Sequence, residues 1–397
     1  MWLGWVIVAA LQNPGQTGPG VLTLEAALRQ ARLGRGRPAA AAAGVAEARG
    51  QLREAGEIPH ANLSFERTGD TPHKHLLVDE SFSWLLTRGP DRAAARAGIR
   101  RAQADSAGTM AELVQDVRIA FYDALAAAET LRLVVEQVGF SDSLVRIAQA
   151  RLNAGDISRF EYEQAAQDAR RAQQLLSETR ENARTAAAAL GRAVGWDGVA
   201  PPVPSGPLDA ELDTDTTLTF SVDSIPAVRS ARADSVATRY TLLSARRGRI
   251  LFPSLTGGAE WDDPSEPGKT LSVIGFSIPF PPIDRAKGEL GIAQARSDIA
   301  TSELREARLE GSRAAAEARI RLAETARRAR FARDSLIPAA RELRLRAVTA
   351  YRAGETGILP VLDALRSERE VVQAAVQDLQ TFQEALARWL ALFGRTE

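Results

Sequence analysis

Residues 350–365, "AYRAGETGILPVLDAL", restate a stretch the chain has already used at residues 150–165, "ARLNAGDISRFEYEQA". Laying Ala154-Gly155-Asp156 on Ala353-Gly354-Glu355 gives an offset of 199 positions, half of a 397-residue chain. Gly155 and Gly354 each follow a long Ala/Arg-rich run, as a C′ glycine follows a helix. Asp156-Ile157-Ser158 and Glu355-Thr356-Gly357 then open another helix. Both stretches therefore read as tight tip turns between two antiparallel helices.

Working outward, the same order of elements recurs on either side of each turn. The chain divides into a start (1–20), a first repeat (21–195), a connector (196–224) rich in Pro and Asp, and a second repeat (225–397). Each repeat begins with a helix, near Pro38 or Pro226, that stops before Pro59 or Pro253. Polar, β-prone hairpins follow at 61–86 and 254–280, split by turn chemistry at Thr68–Pro72 and Asp262–Gly268. Long helices come next, from about Gly89 to Asn153 and from about Ile283 to Arg352, with Pro338 marking a kink. At 1.5 Å per residue each would reach roughly 90–100 Å. Return helices at 159–193 and 358–393 close the repeats. In the first long helix, Leu113, Val117, Ala120, Ala124, Ala127, Leu131, Val134, Val138, Ser141, Val145, Ala148 and Leu152 step by threes and fours, a sustained coiled-coil seam.

The hairpins alternate with period two. Leu76, Val78, Phe82 and Trp84 share one face, against Asp79, Ser81 and Ser83. Ile274, Phe276, Ile278 and Phe280 oppose Leu271, Val273 and Gly275, and Leu63 and Phe65 oppose Asn62, Ser64 and Glu66. That pattern fits a soluble sheet with one wet face. It also fits a transmembrane barrel wall, apolar outward and polar inward, in which Glu80 is out of place. In either case the matched repeats predict that the two hairpins lie side by side.

Composition narrows the function. Aromatics are only 6%, and 50 basic residues balance 50 acidic ones, so no global positive field exists to draw in nucleic acid. The absence of cysteine removes disulfides, thiolate metal sites and thiol nucleophiles. Ser, His and Asp occur without a nucleophile elbow, and the glycines form no phosphate-binding fingerprint, so catalysis is not expected. His60, His73 and His75 fall in or beside a loop, where two imidazoles make a poor metal site, and no resident metal or other cofactor is expected. Residues 1–20 read as a signal peptide or a disordered start. Met1–Leu11 resembles an apolar signal core with small residues, Ala9 and Ala10, at a plausible cleavage site, without a basic n-region. No later run of 18 apolar residues predicts a transmembrane helix.

The order, spacing and duplication of these elements resemble the outer membrane efflux protein family, the TolC-like channels. The residues that carry the resemblance are "LTLEAALRQA", "ARGQLREAGEIP", "FSIPFPPIDRAKGELGIAQA" and "AYRAGETGILPVLDA". It implies a mainly α fold with a small β part: tandem-duplicated helical hairpins and two β-hairpins in a trimeric α/β barrel. It further implies an outer-membrane duct extending into the periplasm and driven by an inner-membrane pump through a periplasmic adaptor. Counting agrees: four strands cannot close a barrel, whereas three copies give twelve. The acyl anchor of many relatives is not expected, for want of a cysteine. Carried over by alignment, Tyr351 matches a gate tyrosine, Asp363 an acidic pore-ring residue and Glu161 an acidic gate partner. Pro360 and Thr356 stand where relatives place an aspartate and an arginine. The competing reading is a periplasmic coiled-coil adaptor or structural protein, which would show one helical hairpin or no paired strands.

Overall fold

A computed structural model describes residues 20–34, 36–213, 221–250, 252–265, 267–278 and 287–395. The signal-like start up to residue 19, Phe280 and the segment opening the second long helix lie outside the described residues. In chain order the elements are β1 (Val21–Leu22), α1 (Leu24–Arg32), α2 (Arg37–Glu54), β2 (Asn62–Arg67), β3 (Lys74–Ser81) and α3 (Trp84–Ala154). Then come α4 (Arg159–Val194), β4 (Val203–Pro204), α5 (Pro226–Gly248), β5 (Ser254–Trp261), β6 (Thr270–Ser277), α6 (Lys287–Phe331), a π turn (Ala332–Leu336), α7 (Ile337–Arg352) and α8 (Leu359–Leu392).

The described residues of 1–34, 113–218 and 318–389 form one compact unit, and those of 35–112, 219–317 and 390–397 form the other. The second unit holds the sheet, in the order β2-β3-β5-β6, every neighbour antiparallel. The two hairpins pair directly, β3 with β5, from Lys74↔Trp261 to Ser81↔Ser254. Register then fixes the faces, because cross-strand partners share a side. Leu63, Phe65, Leu76, Val78, Leu255, Ala259, Ile274 and Phe276 stand on one face. Asn62, Ser64, Glu66, His75, Asp79, Thr256 and Glu260 stand on the other. The polar face is knitted by hydrogen bonds: Thr256 Oγ1 donates to Asp79 Oδ2 at 2.7 Å, and His75 Nδ1 lies 3.0 Å from Glu260 Oε1.

The first hairpin is shorter than its alternation suggests. The strand ends at Ser81, and Trp84, placed by period two on the apolar face of a strand, is the first residue of α3. Helical spacing wins there because it offers Trp84 two partners. Its Nε1 donates to Glu80 Oε1 at 3.4 Å, and the Arg88 guanidinium, one turn on, stacks 5.5 Å from its ring. The same contact settles Glu80, the acid on the apolar face. Pro90 sits inside α3, leaving the Leu86 carbonyl without its helical donor.

The helical unit is built on the seam of α3, every position of which is buried or half-buried. Helix α7 follows the π turn, where Ile337 N–H reaches back to the Ala332 carbonyl instead of one residue nearer. Pro338 explains the widening: its ring has no N–H for the Asp334 carbonyl and would collide with it in a regular turn. The segment after β4 lies as a strap on these helices. Gln383 Nε2 donates to the Leu208 and Ala210 carbonyls at 3.1 and 2.6 Å, and Arg330 Nη2 to the Leu212 carbonyl at 2.6 Å. Leu212 is fully buried, and Glu211, at φ +63°, pairs with the buried Arg118 at 2.7 Å. Among the described residues no helix is long and apolar enough to cross a membrane.

Candidate functional site

Both tip turns are Schellman closures. At the first, Gly155 N–H donates to the Leu152 carbonyl at 3.1 Å and Asp156 N–H to the Arg151 carbonyl at 2.9 Å. At the second, Gly354 N–H donates to the Tyr351 carbonyl at 3.1 Å and Glu355 N–H to the Ala350 carbonyl at 3.0 Å. The glycines adopt φ of +81° and +79°, and a Cβ on either would meet nothing within 4 Å. Backbone conformation, not crowding, is what requires glycine here. The first turn leads into α4 through a capping box: Ser158 Oγ accepts from Glu161 N–H at 3.2 Å, and Glu161 Oε2 accepts from Ser158 N–H at 3.1 Å.

Tyr351 is the largest fully buried side chain of the tip, 1% exposed, in a core with Leu144, Ala148, Ala165, Ile358, Val361 and Leu365. Arg151 holds it from above, its guanidinium 4.7 Å from the ring centre and its Nη1 donating to the Tyr351 carbonyl at 3.2 Å. The ring therefore joins the end of α3 to the end of α7 within one chain. Its hydroxyl is buried and has no partner among the described residues, as are Thr356 Oγ1 and Gln164 Oε1. Three polar atoms without partners in two short tip segments are unusual for buried groups, which nearly always find one.

The two acids differ in setting. The Asp363 side chain is 70% exposed and 3.5 Å from the exposed Arg366, an ion pair worth little in water. It lines a shallow groove with Leu343, Arg346, Ala347 and Pro360. Glu161 is half-buried and tied up in the capping box, and its Oε1 lies 3.5 Å from where a Cβ on Gly357 would sit. Gly357 of the second turn thus lies beside the acid of the first, at a distance a Cβ would tolerate. Sequence reasoning missed Arg151 and Gln164, which fall at ordinary helical positions and carry no local signal.

Residues 87–196 match the family model for outer membrane efflux protein. The cobalt-zinc-cadmium resistance protein CzcC of Cupriavidus metallidurans is 29% identical over 295 residues, 72% of this chain and 69% of its own. Among solved structures, CusC superposes with a TM-score of 0.74 at 16% identity, over 94% of this chain and 92% of that one. VceC of Vibrio cholerae gives 0.71 at 17%, over 94% and 97%. The open state of MtrE from Neisseria gonorrhoeae gives 0.73 at 16%, over 94% and 89%. Duplicated helical hairpins, paired β-hairpins and these likenesses agree: the chain has the fold of these solved TolC-like channels, and its residues 87–196 resemble the outer membrane efflux protein family.

Proposed function

We propose that three copies of this chain form the outer-membrane exit duct of a tripartite efflux system, through which cargo passes without chemistry. An inner-membrane pump supplies the driving force and a periplasmic adaptor joins the two. The observation that carries this reading is the sheet. It has four strands, a face on which Ile274 and Phe276 are 85% and 76% exposed, and two edges, β2 and β6, with no neighbouring strand among the described residues. Lone edges invite pairing, closed bacterial barrels need at least about eight strands, and an exposed apolar band is what lipid covers. Outer-membrane fractionation with cross-linking tests it: a trimer resistant to mild detergent is expected, and a soluble monomer overturns it.

For cargo we propose divalent transition-metal cations, on the strength of the metal-resistance relative. A strain lacking the gene should lose tolerance to cobalt, zinc or cadmium while keeping its tolerance to dyes and detergents. The reverse pattern would assign organic cargo. At the tips, Tyr351 and Glu161 hold the closed state, and Asp363, once per subunit, forms an acidic ring that favours cations. The unpartnered Tyr351 hydroxyl, Thr356 Oγ1 and Gln164 Oε1 support this, since a neighbouring coil could supply what one chain lacks.

A further inference from the structure

We propose that the helical unit carries a binding site for an amphipathic organic anion, a planar aromatic carboxylate or sulfonate, in a cavity walled by α3, α7 and α8. The cavity measures about 630 Å³, within the roughly 300–1,000 Å³ of small-molecule sites. Its lining divides into a cationic rim and an apolar floor. The rim holds Arg132, Arg341, Arg344 and Arg369 against only Glu136 and Glu368, and the floor includes Phe140, Leu365 and Val372. Both acids are already engaged: Glu136 pairs with Arg132, which also binds Glu129 at 2.6 Å, and Glu368 pairs with Arg344. Arg341 and the half-buried Arg369 have no hydrogen-bond or ion-pair partner among the described residues. Two guanidiniums with free donors therefore face one space, and a planar anion is what their fork geometry binds best.

The floor decides the rest of the ligand. The Arg344 guanidinium lies 5.6 Å from the Phe140 ring centre, forming a flat cationic and aromatic platform. A bare inorganic anion would satisfy the rim and leave that platform and the half-buried Val372 uncovered. An aromatic body with one acidic group covers both. A carboxylate from a second copy would fill only a small part of the volume. The site belongs to a single chain and does not depend on the trimeric reading.

Isothermal titration of the full-length protein in non-ionic detergent with naphthalene-2-sulfonate tests the site. One saturable site per chain is expected. Arg369→Gln and Arg341→Gln should each weaken it roughly tenfold, the loss of one charge-assisted contact. The exposed Arg313→Gln should leave it unchanged, and neutral 2-naphthol should bind at least tenfold more weakly. Arg369→Lys keeps the charge and guards against a folding artefact: it should bind between wild type and Arg369→Gln while circular dichroism stays native. Unsaturable heat, equal affinity for 2-naphthol, or cavity variants that match Arg313→Gln would overturn the proposal.

Discussion

Tyr351 binds its surroundings through its ring, and its hydroxyl has no hydrogen-bond partner among the described residues. The ring is packed and capped by Arg151, whereas the hydroxyl is buried without a partner. A buried hydroxyl without a partner costs roughly 1–3 kcal/mol, so Tyr351→Phe should stabilise the isolated chain rather than weaken it. Tyr351→Ala, which empties the core of the tip, should cost about 3–5 kcal/mol. If the hydroxyl bonds across to a neighbouring coil, Tyr351→Phe should also raise open probability in planar bilayers. Unchanged gating would reduce Tyr351 to core packing. Asp363→Asn should weaken block by multivalent cations, because the proposed ring loses three charges; unaltered block would remove Asp363 from the pore. Gly354→Ala should cost about 1–2 kcal/mol, since at φ +79° an L side chain crowds its own backbone although space is free around it.

Among the elements, the strap after β4 is where polar contacts carry most. Arg118 is 4% exposed at its side chain, and Glu211 is its carboxylate partner. Glu211→Gln would strand a buried cation, and a loss of about 3 kcal/mol in denaturant unfolding is expected. Arg333 hydrogen-bonds Asp213 and Asp334 and holds both carboxyls below their usual range. Depressed carboxylates contribute stability above the ordinary value, about pH 4, and lose it as pH falls through the lower folded value. Acid below about pH 4 should therefore expose 205–213 to limited proteolysis, and Arg333→Gln should expose it already at neutral pH. The long helices, tip glycines and alternating strands were legible because each rests on local periodicity or on a residue with one conformational use. The helical start at Trp84 was not, since two more residues of chance alternation hid contacts made one helical turn apart. Nor was the Arg118–Glu211 pair, which joins positions 93 apart through a strap with no period of its own. At the tips the sequence marked Tyr351 but gave no sign that its ring points into its own chain, because burial depends on which helix arrives opposite.

For the whole molecule, the decisive surface is the apolar face of the sheet. Ile274 is its most exposed large residue, on β6 and opposite Gly257, so no side chain across the strand pair shields it among the described residues. Arginine there should cost roughly 2–4 kcal/mol if the site lies at mid-bilayer depth, and should reduce the trimer recovered from outer membranes. Normal recovery of Ile274→Arg would place that face elsewhere. The π turn bears on assembly in another way. A turn that holds one residue more than its neighbours advances everything after it by about 100° of azimuth. Ala332–Leu336 thus works as an angular offset between α6 and α7, and it sets which side of α7 carries Tyr351 inward. Losing a single codon in that stretch would hardly shorten the chain, but it would swing Tyr351 out of its core and turn a different row of side chains toward the neighbouring coil.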